Sequence, residues 1–393
     1  MAKLTVKDLD FKNKTVLMRA DFNVPQDASL TITDDTRIRA TLPTIKYILG
    51  NGVKKLVLMS HLGRPDGKVV AKYSLKSVAV RLKELLGEDV LFLTDCVGDN
   101  IKKDVDSSKE RVVLLENLRF HAEEEADDAN FSKQLACLGE IFVNDAFGSA
   151  HRSHASTEGV THYLKSAAGF LVEKEILYLG GAVENPTRPF MVILGGAKVS
   201  DKIGVIENLL PKADALIVGG GMAYTFLKAE GKSIGSSKLE KEKLGLAKSC
   251  LRKAKRLRKA ILLPVDNLVV EVIAPSAKSE IVGVDIPDGK IAVDIGPKTI
   301  KLFEDKLKSA KTIVWNGPLG IFEIDAFSRG TEEIAKFIAN LECTSIIGGG
   351  DTAAAIAKFK LEGKMTHIST GGGASLEFLE GKVLPGIAAL SDR

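Results

Sequence analysis

The sequence predicts an α/β fold with largely parallel sheets, built as at least two domains. Three observations predict it. Short apolar runs alternate with segments of helical period along most of the 393 residues. That length exceeds what a single core usually serves. Near the middle, a proline-bounded helical stretch separates two halves whose turns differ in chemistry.

The first-half runs, residues 16–18, 56–59, 90–93, 112–115 and 141–143, are short and apolar and read as buried strands. Between them, "TLPTIKYILGNG" and "SLKSVAVRLKELLG" carry helical spacing. In the middle, "FLVEKEILYLGGAVENPTRP" reads as one helix, stopped by Asn185 and Pro186 and followed by Pro189. It marks a domain connection over about residues 170–188. The second-half strands are residues 190–194, 215–218, 261–263, 312–315, 345–347 and 365–368. After the first of these, residues 195–198 form a strand-to-helix turn. Ile203, Ile206, Leu209 and Leu210 then recur at helical spacing until Pro211. Lys198 and Lys202, at i and i+4, are expected on one face of that helix. There the turn's N–H groups and the helix dipole favour an anion. The turn is not a P-loop: the one "GKS", residues 231–233, has Phe226 where the first glycine belongs.

Composition narrows the class. With 45% hydrophobic and 27% charged residues, the chain has the make-up of an ordinary soluble globular protein. A net charge of +4 gives no broad basic field for nucleic acid. Cys96, Cys137, Cys250 and Cys343 are far apart, with no C-x-x-C and no Cys/His cluster in the sequence, which suggests reduced thiols in a cytoplasmic protein rather than a disulfide frame or a zinc site. No apolar run approaches the roughly 18 residues of a spanning helix, so no membrane partner is expected, and the N-terminus lacks an apolar signal core.

The turns after the strands carry the chemistry, because ligands of open α/β sheets bind outside the carboxyl ends of the strands. Five second-half turns are glycine-rich: "GGAKVSDK", "GGGMAYTF", "NGPLGIFE", "GGGDTAAA" and "TGGGAS". Glycine lets a flat or charged ligand touch the backbone. "GGGDTA" formally fits a dinucleotide fingerprint, but no acid ends the following strand to hold a ribose. Asp351 inside the turn would also repel a pyrophosphate unless a divalent cation bridged them, which favours a magnesium nucleotide over a nicotinamide dinucleotide. Glu323 is placed to accept from ribose hydroxyls. The first-half turns, "RADFNVP", "SHLGRPDGK", "ENLRFH" and "NDAFGSAHRSHAS", instead hold Arg37, Arg64, Arg119 and Arg152 in or beside them, with His61, His151 and His154. Arginine forks match phosphate and carboxylate. With Asp21 and Asn23 available for hydroxyls, the set suggests a small, highly anionic metabolite; His154 is either part of that site or structural. Arg19 stands too early in its strand to reach the loop and is not part of the predicted site.

These stretches, with "DDTRIRATLPTI", "GGAKVSDKI", "WNGPLGIFE" and "STGGGASLEFLEGK", in this order and spacing, resemble the phosphoglycerate kinase family over nearly the whole chain. The resemblance implies two doubly wound, Rossmann-like parallel-sheet domains joined by a helix and hinge. The N-terminal domain is expected over residues 1–170, the interdomain helix over 171–188 and the nucleotide domain over 189–373. A tail, 374–393, is expected to pack back on the first domain. The resemblance also implies a monomer that reversibly transfers a phosphoryl group from 1,3-bisphosphoglycerate to ADP, with Mg2+ as cofactor. It puts 3-phosphoglycerate on Asp21, Phe22, Asn23, Arg37, His61, Leu62, Gly63, Arg64, Arg119 and Arg152. It puts the nucleotide on Lys198, Lys202, Gly219, Gly220, Glu323, Gly349, Gly350, Asp351 and Thr352, with Asp351 toward the metal. Arg37, Lys198, Gly372 and Gly373 are implied around the transferring phosphoryl. The nucleophile in the ATP-consuming direction is a carboxylate, already ionised, so no general base is needed. Positioning and charge neutralisation remain. Two sites on separate domains predict hinge closure.

Overall fold

The computed structural model describes residues 3–393. The chain forms two compact units, one running to Leu177 and completed by Val383–Arg393, the other Tyr178–Lys382.

In the first unit, β1 (Thr15–Ala20), β2 (Lys55–Met59), β3 (Val90–Phe92), β4 (Val112–Leu114), β5 (Ile141–Asp145) and β6 (Lys165–Ala168) form one sheet in the order β3-β4-β2-β1-β5-β6. All its pairings are parallel. β1 is buried almost throughout, and helix Thr36–Gly50 covers one face with Ile38, Leu42, Ile45 and Ile48. The sheet's order reverses between β1 and β5, which opens a crevice at their carboxyl ends. β6 is absent from the sequence reading because "KSAA" carries no branched apolar residue.

The second unit repeats the plan. β7 (Phe190–Leu194), β8 (Ala215–Val218), β9 (Ala260–Leu262), β13 (Thr312–Asn316), β14 (Thr344–Gly348) and β15 (His367–Ile368) form a parallel sheet in the order β15-β14-β13-β7-β8-β9. Its core gathers Met191, Ile193, Ile313, Trp315 and Ile347. Here the order reverses between β7 and β13. The sequence reading also missed a separate antiparallel sheet, β11-β10-β12, of β10 (Asp266–Val270), β11 (Glu280–Gly283) and β12 (Ile291–Ile295).

The middle helix runs as expected from Phe170, but in three pieces: Phe170–Glu175 is α-helical, Ile176–Gly180 is π-helical and Gly181–Glu184 is α-helical again. The unit boundary falls inside the π segment, between Leu177 and Tyr178, rather than at either end of residues 171–188. The tail also divides later than residue 374. Helix Gly373–Leu379 lies with the second unit, where buried Leu379 offers its carbonyl to the Asn208 amide at 2.8 Å. Only from Val383 does the chain join the first unit, with buried Leu384 and Leu390 and a bond from the Asn144 amide to Gly386 O at 2.9 Å. No helix among the described residues is long and apolar enough to cross a membrane.

Candidate active site

The carboxyl ends of the two sheets present two different sites, one on each unit. On the first unit the chain leaves β1 into Asp21 and Asn23. Asp21 binds Arg37, from the first turn of helix Thr36–Gly50, at 2.8 Å. The Asn23 side-chain carbonyl accepts from the Gly63 N–H at 2.9 Å, and Arg119 Nη1 donates to Gly63 O at 3.0 Å. The loops after β1, β2 and β4 are thus tied at Gly63. That residue has φ +65°, and a side chain there would run into the Tyr73 ring, so only glycine serves.

His61 sits beneath this loop, 5% exposed. Its Nδ1 lies 2.9 Å from Arg19 Nη2. A guanidinium only donates, so Nδ1 accepts and the imidazole is neutral with its proton on Nε2. Burial and the charges of Arg19, Arg119 and Arg37 all hold its pKa well below the ordinary histidine value. His154, buried near Arg119, Arg19 and Arg152, is pushed down to about 3, chiefly by burial. Arg119 is itself lowered by burial, then by Arg152 and Arg64, while Glu125 raises it. The arginines predicted from separate turns therefore crowd together. Arg64 is exposed and Arg152 half-buried, both open to an incoming anion, whereas half-buried Arg37 is held by Asp21.

Sequence reasoning did not find what holds this crowd in place. Arg19 is fully buried and pushed down to about 10, mainly by burial. Its Nε donates to Ser156 Oγ at 2.8 Å, and that hydroxyl donates to Glu124 Oε1 at 2.6 Å. Arg19 lies within β1 rather than in the open loop, and its contact fixes the His61 tautomer. Period-2 alternation gave the only signal, an arginine pointing inward along a buried strand.

On the second unit the crevice between β7 and β13 is floored by interlocked glycine turns. The Gly195 N–H donates to Asn316 O at 3.0 Å, Gly196 N–H to Pro318 O at 2.9 Å and Gly220 N–H to Leu319 O at 3.1 Å. A Cβ on Gly195 would overlap the Pro318 carbonyl, and one on Gly220 would lie 2.7 Å from Gly196 N. These glycines let turns touch turns. Gly219 is likewise packed against Leu319, and Thr352 is buried, accepting from the Gly317 N–H at 2.6 Å. By contrast, nothing lies within 4 Å of a Cβ on Gly196, Gly350 or Gly372. A cleft of about 340 Å³ opens over the turns. Gly196, Gly220 and Pro318 to Gly320 line it, Tyr224, Ile291 and Val293 give it an apolar wall, and Glu323, Asp351 and Lys238 stand around it. Lys238 and the apolar wall were missed; the alternation in "KIAVDI" was the available signal.

The expected lysine face differs. The turn after β7 is a 3-10 turn, Ser200–Lys202, and the α-helix begins only at Ile203, so Lys198 and Lys202 do not share an α-helical face. Two N–H groups at the end of the turn are also already taken: the Glu240 carboxylate accepts from Val199 and Ser200 N–H and, at 2.7 Å, from the Ser200 hydroxyl. Lys198 is exposed. Lys202 is half-buried and donates to the Asn316 side-chain carbonyl; burial lowers its pKa, against Asp201 and Asp351. Anion-ready helix starts lie elsewhere. Helix Gly350–Lys358 begins after Gly349 (φ +85°) and helix Gly373–Leu379 after Gly372 (φ +52°), neither with a side-chain cap.

A family model described as phosphoglycerate kinase matches residues 6–382. A phosphoglycerate kinase of Koribacter versatilis is 56% identical, with all of both chains covered. The cytosolic phosphoglycerate kinase 3 of Arabidopsis thaliana is also 56% identical, covering 99% of this chain and 98% of its own. Among solved structures, that of phosphoglycerate kinase from Coxiella burnetii matches with a TM-score of 0.91 at 42% identity, and that from Pyrococcus horikoshii with 0.84 at 34%. Each covers 98% of both chains.

Proposed function

The chain belongs to the phosphoglycerate kinase family, and from that premise we propose how its two sites share the reaction. The activity is reversible phosphoryl transfer from 1,3-bisphosphoglycerate to ADP, giving 3-phosphoglycerate and ATP in glycolysis, with a carboxyl group as acceptor in the reverse direction. In our reading the arginine cluster of the first unit holds 3-phosphoglycerate. Arg64, Arg119 and Arg152 meet its phosphate, Arg37 faces the reacting carboxylate, and Asp21 and Asn23 take its hydroxyl. The glycine cleft of the second unit holds the nucleotide: base against the apolar wall, ribose toward Glu323, phosphates toward Lys202 and the helix starts at Gly350 and Gly373.

The observation that carries this reading is the crowding of guanidinium groups around a neutral His61. Arg37 is paired with Asp21 and Arg119 with Glu125, while Arg64 and Arg152 enter no ion pair among the described residues and are left for an incoming anion. His61 and His154, held neutral far below their usual pKa, are poor bases, as suits a carboxylate nucleophile that has no proton to lose. Lys198, exposed at the turn that Glu240 braces, neutralises the transferring phosphoryl, with Gly372 and Gly373 offering backbone N–H groups. Asp351 fits magnesium: it is an exposed carboxylate at the cleft, next to an uncapped helix start that favours phosphate. The metal, when bound with the nucleotide, supplies charge neutralisation between phosphate oxygens. Direct in-line transfer requires the reacting atoms about 3–3.5 Å apart, so we propose that the units close when both substrates are bound. We further propose a monomer working in the cytoplasm on small-molecule substrates only. A coupled assay with 3-phosphoglycerate and Mg-ATP tests the assignment: turnover should need both substrates and fall sharply in Arg37→Ala. Full activity in that variant would overturn the substrate placement.

A further inference from the structure

At the same carboxyl end of the first sheet as the arginine cluster, the turns after β3 and β4 bring together three donor atoms that their spacing in the sequence does not reveal: the Asp95 carboxylate, the Cys96 thiol and the His121 imidazole, all within 4.8 Å of one another. β3 and β4 are paired neighbours, so their carboxyl-end turns meet at one corner of the sheet. Asp95 ties the corner. Its Oδ1 accepts from the Cys96 N–H at 2.7 Å and lies 2.7 Å from His121 Nε2. The His121 ring is held against Phe131, with centroids 5.3 Å apart. Cys96 is fully buried, whereas Asp95 and His121 reach water. One soft donor therefore points out from the core toward two donors that solvent can reach.

We propose that Asp95, Cys96 and His121 bind a borderline divalent transition-metal ion of the zinc class. The donor set decides the class. Magnesium and calcium take oxygen ligands, whereas a thiolate, an imidazole and a carboxylate together suit zinc and its neighbours. Three protein ligands leave a fourth position for water. The Glu116 and Glu124 carboxylates add negative charge near Cys96, which favours a cation there. A bound dication takes the place of the thiol proton, which leaves to solvent. Bond lengths of about 2.0–2.3 Å imply ligand separations of roughly 3.3–3.8 Å around a tetrahedral ion. The Asp95 and His121 donors stand 2.7 Å apart across their hydrogen bond, closer than that. Rotation of those two outer side chains exchanges that bond for two metal bonds.

The test is a Co2+ titration of the intact, reduced protein, following the thiolate-to-cobalt charge-transfer band in the near ultraviolet, then displacement by Zn2+. The proposal expects one saturable band that zinc bleaches, that Cys96→Ser abolishes, and whose midpoint rises about tenfold or more in His121→Ala. Cys96 is buried, so its replacement is checked by circular dichroism. Should Cys96→Ser fail to fold, His121→Ala and Asp95→Asn, on the water side, carry the decision. No band in the wild type, an unchanged midpoint in both outer variants, or a band kept in Cys96→Ser would overturn the site. The last result would place the sulfur ligand at exposed Cys137 or half-buried Cys343.

Discussion

Lys198 is exposed beside a turn where Glu240 takes the Val199 and Ser200 N–H groups, which leaves its side chain as a cation for an incoming anion. Lys198→Ala should therefore lower kcat by roughly 10²–10³, the scale of one preorganised charge donor, with a much smaller change in nucleotide Kd. Steady-state kinetics with a kcat within about threefold of wild type would contradict that role. The two buried histidines make a second prediction. In the unfolded chain they titrate near 6.5, while in the folded chain His154 lies at about 3 and His61 well below its usual value. The unfolded state thus takes up protons that the native state refuses. Their contribution to stability is full above about 6.5 and is lost as pH falls from there toward 3. NMR chemical shifts of the His61 and His154 rings should stay flat from pH 8 to 5, and a titration step near 6.5 in either would refute the geometry. At this scale the sequence reveals which charged types stand in the turns. It does not reveal that Ser156 and Glu124, more than a hundred residues from Arg19, satisfy its buried guanidinium, because that pairing exists only in the folded sheet.

Among the elements, the glycine turns divide into those that pack and those that face open space. Gly317, at φ +102°, sits against the Gly195 carbonyl, and a Cβ there would overlap it. Gly317→Ala should destabilise the protein by about 1–3 kcal/mol or more, through backbone strain and steric conflict together. Gly245, in helix Leu244–Arg256 with nothing within 4 Å of a Cβ, provides the contrast. Gly245→Ala should be neutral or stabilising by up to about 1 kcal/mol. Urea unfolding measures both, and equal effects would mean that turn packing is not what Gly317 provides. The long apolar strands were legible because branched runs bounded by glycine have few alternatives. β6 was not, and neither was the 3-10 turn that separates Lys198 from the following helix, since helical spacing alone cannot tell where the first α-helical turn closes.

For the molecule as a whole, the sequence located the middle helix and the contrast between the two halves. It placed the return of the tail nine residues early, because the apolar "SLEFLEG" segment does not say which core it will join. If the units close only on the complete substrate pair, small-angle scattering should give a radius of gyration that falls clearly in the ternary complex and little with either ligand alone. Equal radii in the free and doubly bound protein would remove closure from the account. The central claim is the division of labour, with the anionic substrate on the arginine cluster and the nucleotide on the glycine cleft. Isothermal titration calorimetry of 3-phosphoglycerate and of Mg-ADP against wild type, Arg64→Ala and Asp351→Asn tests it most directly. The account predicts that Arg64→Ala weakens 3-phosphoglycerate by about 1.5–3 kcal/mol and leaves Mg-ADP unchanged, while Asp351→Asn weakens Mg-ADP and leaves 3-phosphoglycerate unchanged. Loss of nucleotide affinity in Arg64→Ala with 3-phosphoglycerate binding intact would contradict it.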